Sequence, residues 1–257
     1  MLDPLSQWEP TRNTLHAVTG VLAALRKAYT DPQPMALHLS LYVTPTGLST
    51  GGTAAGRFVL NFANATIEYY KPNQTTIWLP LARYSTSADL MGALLGEITA
   101  DAPNDSVPVI HGPEIMPLYV QDEQIIAYGQ TLQMMYTAIS RVRGRLRGLM
   151  TPVNVWGHGF DLSTLWFKGT EYGEIEPHIN IGFSPGSTGL PRPYAYIYAY
   201  PMPDDFESLL LPSLARWYND SWQGAVIDYD TLREQESPLA VLETQLTEIY
   251  DLLEVKL

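Results

Sequence analysis

Apolar residues recur at two periods along this chain, and the period sorts its segments. From Thr11 to Tyr29 the residues Leu15, Val18, Leu22, Leu25 and Tyr29 fall three and four apart, one stripe of an amphipathic helix. Thr11, after Pro10, is the expected N-cap. Asp31-Pro32-Gln33-Pro34 ends the helix, because proline cannot continue its bond ladder. Met35 to Thr44 alternates instead, with Leu37, Leu39, Leu41 and Val43 against His38, Ser40, Tyr42 and Thr44. That is the pattern of a half-buried strand. Gly47 to Gly56 reads as a small-residue loop. Arg57–Asn61, Thr66–Tyr70 and Thr75–Leu79 read as an antiparallel meander with Asn and Pro-Asn turns.

The rest of the chain repeats the alternation of periods. Helices are expected over Thr86–Thr99, capped by Ser85 or Ser87, over Gln124–Met150, and over Pro238–Lys256 behind Ser237. Strands are expected at Val153–Trp156, Thr164–Lys168, His178–Phe183 and Tyr194–Tyr200, while Asp101–Pro117 is broken by prolines. The expected fold is α+β: a mainly antiparallel sheet with the long helices on one face, in a single domain, 1–257. The order helix, about four strands, helix occurs twice, and Leu48-Ser49-Thr50 echoes in Leu162-Ser163-Thr164. This suggests two pseudo-repeated α-β4-α halves, 1–120 and 121–257.

Composition narrows the function classes. With 46% hydrophobic and 16% charged residues the chain is globular, and no apolar run is long enough to span a bilayer. No cysteine is present, which removes disulfides, thiolate metal sites and thiol catalysis. The N-terminus lacks the basic and apolar regions of a signal peptide, so a cytoplasmic protein is expected. A net charge of −12 argues against nucleic acid and against a membrane surface as partners. The basic exception is Arg141, Arg143, Arg145 and Arg147. These suit a helix end, or pairing with the acidic C-terminal segment, better than an anion site. Internal carboxylates within Asp228–Glu236 are the expected partners.

Several ordered motifs carry a resemblance. They are Trp8-x-x-Thr11-x-x-Thr14-Leu15-His16, His38-x-x-Leu41-Tyr42-Val43-Thr44-x-x-Gly47-Leu48-x-Thr50, and Trp156-Gly157 with Phe160-Asp161-Leu162. Gly182-Phe183-x-Pro185-Gly186 and Tyr196-x-Tyr198-x-Tyr200-Pro201-x-Pro203 complete the set. Together they resemble the bacterial domain-of-unknown-function family 5996. The resemblance implies a bacterial, soluble, single-domain protein, and it brings no activity with it.

The chemistry must therefore be sought in the residues. None of the five histidines, His16, His38, His111, His158 and His178, shows a local metal-ligand spacing, so no metal is expected. No serine-nucleophile or phosphate-loop motif occurs. Asp204-Asp205 precedes an apolar run and reads as a helix cap. The most informative pattern is the polar face of the strands. His38, Tyr42, Trp156, His178, Tyr196 and Tyr198 make it aromatic and uncharged where a solvated face would carry Lys and Glu. With His158 and Asp161 in one turn between strands, these eight residues form the candidate ligand site. Such a face suits a small-molecule pocket of undefined cofactor and activity. It also suits an enzyme using histidines as acid–base groups or metal ligands, or an aromatic protomer interface in a homo-oligomer.

Overall fold

A computed structural model of the chain describes residues 2–100, 110 and 114–257. Most of the proline-broken stretch 101–117, and His111 with it, lies outside the described residues. The architecture is α+β with antiparallel strand pairing. The chain divides into two compact units. The first holds residues 5–130 and 155–160, the second residues 1–4, 131–154 and 161–257.

In the first unit, α1 (Glu9–Ala28) packs on β1 (Ser40–Thr44) and on α2 (Ser87–Thr99). Its stripe of Leu15, Val18, Leu22 and Leu25 is fully buried, as the spacing predicts. The strands follow in chain order: β1, β2 (Gly47–Ser49), β3 (Arg57–Asn61), β4 (Thr66–Tyr70) and β5 (Thr76–Pro80), each antiparallel to the next. The helix begins earlier than expected. Trp8 stands at its N-cap, Pro10 takes the first turn, and Thr11 is buried with its hydroxyl 3.4 Å from Gln121 Oε1. At α2 the cap is Thr86, in a reciprocal box with Asp89.

One expected strand is shorter than its pattern. Pro34–Leu39 forms a 3-10 turn in which Met35 and Ala36 sit at φ +53, and only Ser40–Thr44 is extended. The His38 Nδ1 accepts the Gln33 backbone N–H at 3.1 Å and closes that turn. The alternation of Leu37 and Leu39 therefore reflects no pleat, and His38 is not on a strand.

The turn after β7 (Asn154–Trp156) lies directly on α1. A Cβ added at Gly157 would stand 2.3 Å from the Ala23 Cβ and 3.2 Å from the Thr19 carbonyl oxygen. Phe160 closes the turn at φ +55, and its N–H reaches the Trp156 carbonyl at 2.7 Å. Its buried ring packs on Tyr128 at 5.2 Å, and Tyr128 stacks on Trp8 at 4.7 Å. That burial offsets the left-handed backbone.

In the second unit the strand order is β11 (Ala215–Asn219), β12 (Gln223–Asp228), β10 (Tyr194–Tyr200), β9 (His178–Ser184), β8 (Asp161–Phe167), with β6 (Leu149–Met150) on β8. Ala195, Ile197 and Ala199 share one face with Ile179, Ile181 and Ala225, all buried. Helix α5 (Pro238–Glu254) covers that face, and its Tyr250 meets Trp166 edge-on at 5.3 Å. Strands β11 and β12 and the short α4 (Tyr229–Arg233) were not evident from periodicity. Asp204-Asp205 precede a single 3-10 turn, Phe206–Ser208, rather than a helix, and Asp205 pairs with Lys256 at 2.7 Å.

Helix α3 (Asp122–Arg145) ends in the arginine cluster. Arg141 and Arg145 each donate to a different oxygen of Glu243, both at 2.9 Å. The partner is thus an internal carboxylate of the C-terminal segment, but it comes from α5 and not from Asp228–Glu236.

Two variants test this packing. Gly157→Ala should lower stability by about 1–3 kcal/mol, since the new methyl has no room on α1. Arg141→Met with Arg145→Met leaves a buried carboxylate without partners and should cost about 1–3 kcal/mol. Glu243→Gln frees two exposed guanidiniums to water and should cost under about 1 kcal/mol. Urea denaturation orders them, and a Glu243→Gln loss as large as that of the arginine pair refutes the assignment.

Candidate functional site

The eight residues singled out in the sequence fall in both units. In the first unit, Tyr42 accepts a hydrogen bond from the Arg26 Nη2 at 2.8 Å and lies under that guanidinium, 4.3 Å from its carbon. Arg26 is almost fully buried and also donates to the Ser40 carbonyl, so Tyr42 helps to satisfy a buried cation. His38 is held in its 3-10 turn. Trp156 ends β7, and its ring stands 6.2 Å from that of His158. His158 is exposed at the crest of the turn.

The other four lie in the second unit. Register places His178, Tyr196 and Tyr198 on one side of β9 and β10, with Ile179 and Ile197 on the other. The rings fill their own face. Trp222 packs on Tyr194, Tyr196 and Tyr198 at 6.0–6.3 Å, and the Tyr196 ring occupies the space above Gly182. The Tyr196 hydroxyl donates to Asp161, the first residue of β8. Burial, then the Asp161 charge, raises the Tyr196 pKa well above the ordinary tyrosine value and keeps it a donor. Tyr198 accepts from the Asn180 amide at 2.9 Å, and the His178 Nδ1 donates to the Glu176 carbonyl at 2.8 Å. Asp161 serves as the acceptor of the buried Tyr196 hydroxyl.

Open space lies elsewhere, within the first unit. A cleft of about 640 Å³ runs along α1. Its floor is Ala17, Gly20, Ala24 and Ala28, small residues three and four apart, flanked by Ala23. One wall is Leu39 with the Gly157–His158 turn, and the other includes Glu114 and Met116. The second wall is fixed by backbone pairing. Ser87 N–H donates to the Met116 carbonyl at 2.8 Å, and Met116 N–H to the Ser87 hydroxyl at 2.9 Å. Thr14 bonds both backbone groups of Tyr119. Asn13, His16 and His158 stand at one end of the cleft and Lys27 at the other. Of the eight expected residues only His158 lines it.

The cleft has the size of a small-molecule site and the composition of one: a mostly apolar surface with a few convergent polar groups. Among the described residues no three His, Asp or Glu side chains stand close enough to hold a metal ion. No helix among them is long and apolar enough to cross a membrane.

Fold and site thus define an antiparallel α+β protein with an apolar cleft edged by histidines. The chain belongs to a family of unknown function, DUF5996, whose model matches residues 2–253. No curated protein and no solved structure matches it.

His16, Asn13 and the small-residue floor lie outside the strand-face pattern that points to the eight residues. His16 closes the first family motif, and Ala17, Gly20, Ala24 and Ala28 repeat at helical spacing beside the Leu/Val stripe. Those are the marks by which the cleft could have been found.

The tyrosine face yields its own test. Asp161→Ala takes the acceptor from a buried hydroxyl and should cost about 1–3 kcal/mol. Adding Tyr196→Phe removes the stranded donor and should recover part of that loss. Chemical denaturation of the single and double variants decides it; a double variant that recovers nothing refutes the role given to Asp161.

Proposed function

We propose that this protein binds an elongated, mainly apolar small molecule in the cleft along α1. The observation that carries the reading is the floor: an uninterrupted Ala/Gly face on a helix whose other face is buried core. Small side chains there leave a volume of about 640 Å³, well inside the range of ligand pockets. Polar groups gather at its ends, which suits a molecule with an apolar body and a polar terminus. The tyrosine face of β10 supports ligand binding less well, because Trp222 and the tyrosine rings already fill it. The same packing within the chain weighs against that face as a protomer interface.

The test uses the fluorescent amphiphile 8-anilinonaphthalene-1-sulfonate. Saturable binding of one dye per chain is expected. Ala24→Trp, which fills the floor, should weaken it at least tenfold without lowering the melting temperature. Absence of saturable binding, or equal affinity in Ala24→Trp, overturns the reading.

A further inference from the structure

His16 sits where α1 meets the turn after β7. Its Nε2 lies 2.9 Å from the carbonyl oxygen of His158. A carbonyl offers only lone pairs, so Nε2 carries the proton and donates. The ring is also stacked on Phe160, with centroids 6.0 Å apart and planes 14° from parallel. These two contacts hold both the orientation of the imidazole and its tautomer. In the neutral ring that tautomer leaves a bare lone pair on Nδ1, which has no hydrogen-bond partner among the described residues.

Asn13 stands one helical turn away, on the same side of α1. Its Oδ1 is taken by Arg12, which donates from Nε at 3.1 Å and Nη2 at 3.0 Å. The amide is thereby oriented, and its Nδ2 keeps its protons for the cleft. One end of the cleft thus offers an acceptor and a donor side by side. From His16 to Lys27 the helix advances about 16 Å, and the floor between them carries no polar side chain.

We propose that His16 and Asn13 read the polar terminus of the ligand. Nδ1 of His16 accepts from a group that also accepts from Asn13 Nδ2, and the apolar remainder lies along Ala17–Ala28. The ligand class is a long-chain alcohol or primary amide, with both hydrogen-bonding senses on one end. This rests on the cleft reading and adds to it the chemistry of what is bound.

The probes are 1-decanol and decyl methyl ether, which differ in one O–H donor. Each displaces 8-anilinonaphthalene-1-sulfonate from the full chain. The wild type should prefer the alcohol at least fivefold, about one hydrogen bond. His16→Gln keeps a donor for the His158 carbonyl but has no acceptor in the place of Nδ1. It should hold the wild-type melting temperature and lose the preference. In His16→Asn the Oδ1 takes the place of Nδ1, so the preference should persist. Nitrogen-15 imidazole spectra of the unliganded wild type should show His16 Nδ1 unprotonated. Equal displacement by both probes in the wild type, a preference that survives His16→Gln, or a protonated Nδ1 in the neutral ring overturns the assignment. Failure of the dye itself to bind saturably overturns the cleft reading as well.

Discussion

The absence of a side chain at Gly157 is the constraint on which the first unit is organised. The turn after β7 rests on α1 so closely that even a methyl would enter the Ala23 Cβ. Because the backbone comes that near, the His158 carbonyl reaches the imidazole of His16. Phe160 then takes a left-handed backbone and turns its ring between His16 and Tyr128. Tyr128 stacks in turn on Trp8, at the start of α1. One close backbone approach thereby links the helix start, the turn and the end wall of the cleft. Of the first family motif, His16 meets this turn directly and Trp8 reaches it through Tyr128.

The two aromatic-rich regions differ in what fills them. Beside β10, glycines leave space that rings fill: the Tyr196 ring settles over Gly182 and the Trp222 ring over Gly224. Every tyrosine hydroxyl from Tyr194 to Tyr198 has a partner of its own: Ser187, Asp161 and Asn180. Buried polar groups satisfied in this way specify packing. Along α1 the small residues lie instead on the floor, and large side chains are confined to the walls. Glycine under a ring closes a surface; alanine and glycine along a helix face leave one open.

The helices and most strands were legible because burial imposes a period. The stripe Leu15, Val18, Leu22, Leu25 and the alternation Tyr194 to Tyr200 each have one packed face to explain. Where no such face exists the pattern misleads. Leu37 and Leu39 alternate with His38 inside a turn closed by a Gln33–His38 bond, which no periodicity encodes. Strands β11 and β12 were hidden because Arg216, Asn219 and Gln223 interrupt their apolar positions. The candidate site was legible only at His158. A cleft is defined by what is missing, and Ala17 and Ala24 read in sequence as ordinary helix formers. The Arg141–Arg145 pair was legible as a demand for a carboxylate. That Glu243 meets it depends on how α5 packs, which is a tertiary fact.

Helix α1 therefore carries three roles on three faces, and its sequence can be divided accordingly. The Leu/Val stripe supplies stability through buried apolar area, at about 25 cal/mol per Å². Arg26 near the C-terminal end sits where the helix dipole favours a cation. It donates to the Ser40 carbonyl and to Tyr42, and so ties the helix end to β1. The third face, from Asn13 and His16 to Lys27, contributes little to the core, since its residues are small or exposed. A protein under pressure only to fold would gain by burying larger side chains there. The binding proposed for this face accounts for its lining of Ala and Gly, and for an imidazole at its edge whose Nε2 is already engaged by a backbone carbonyl.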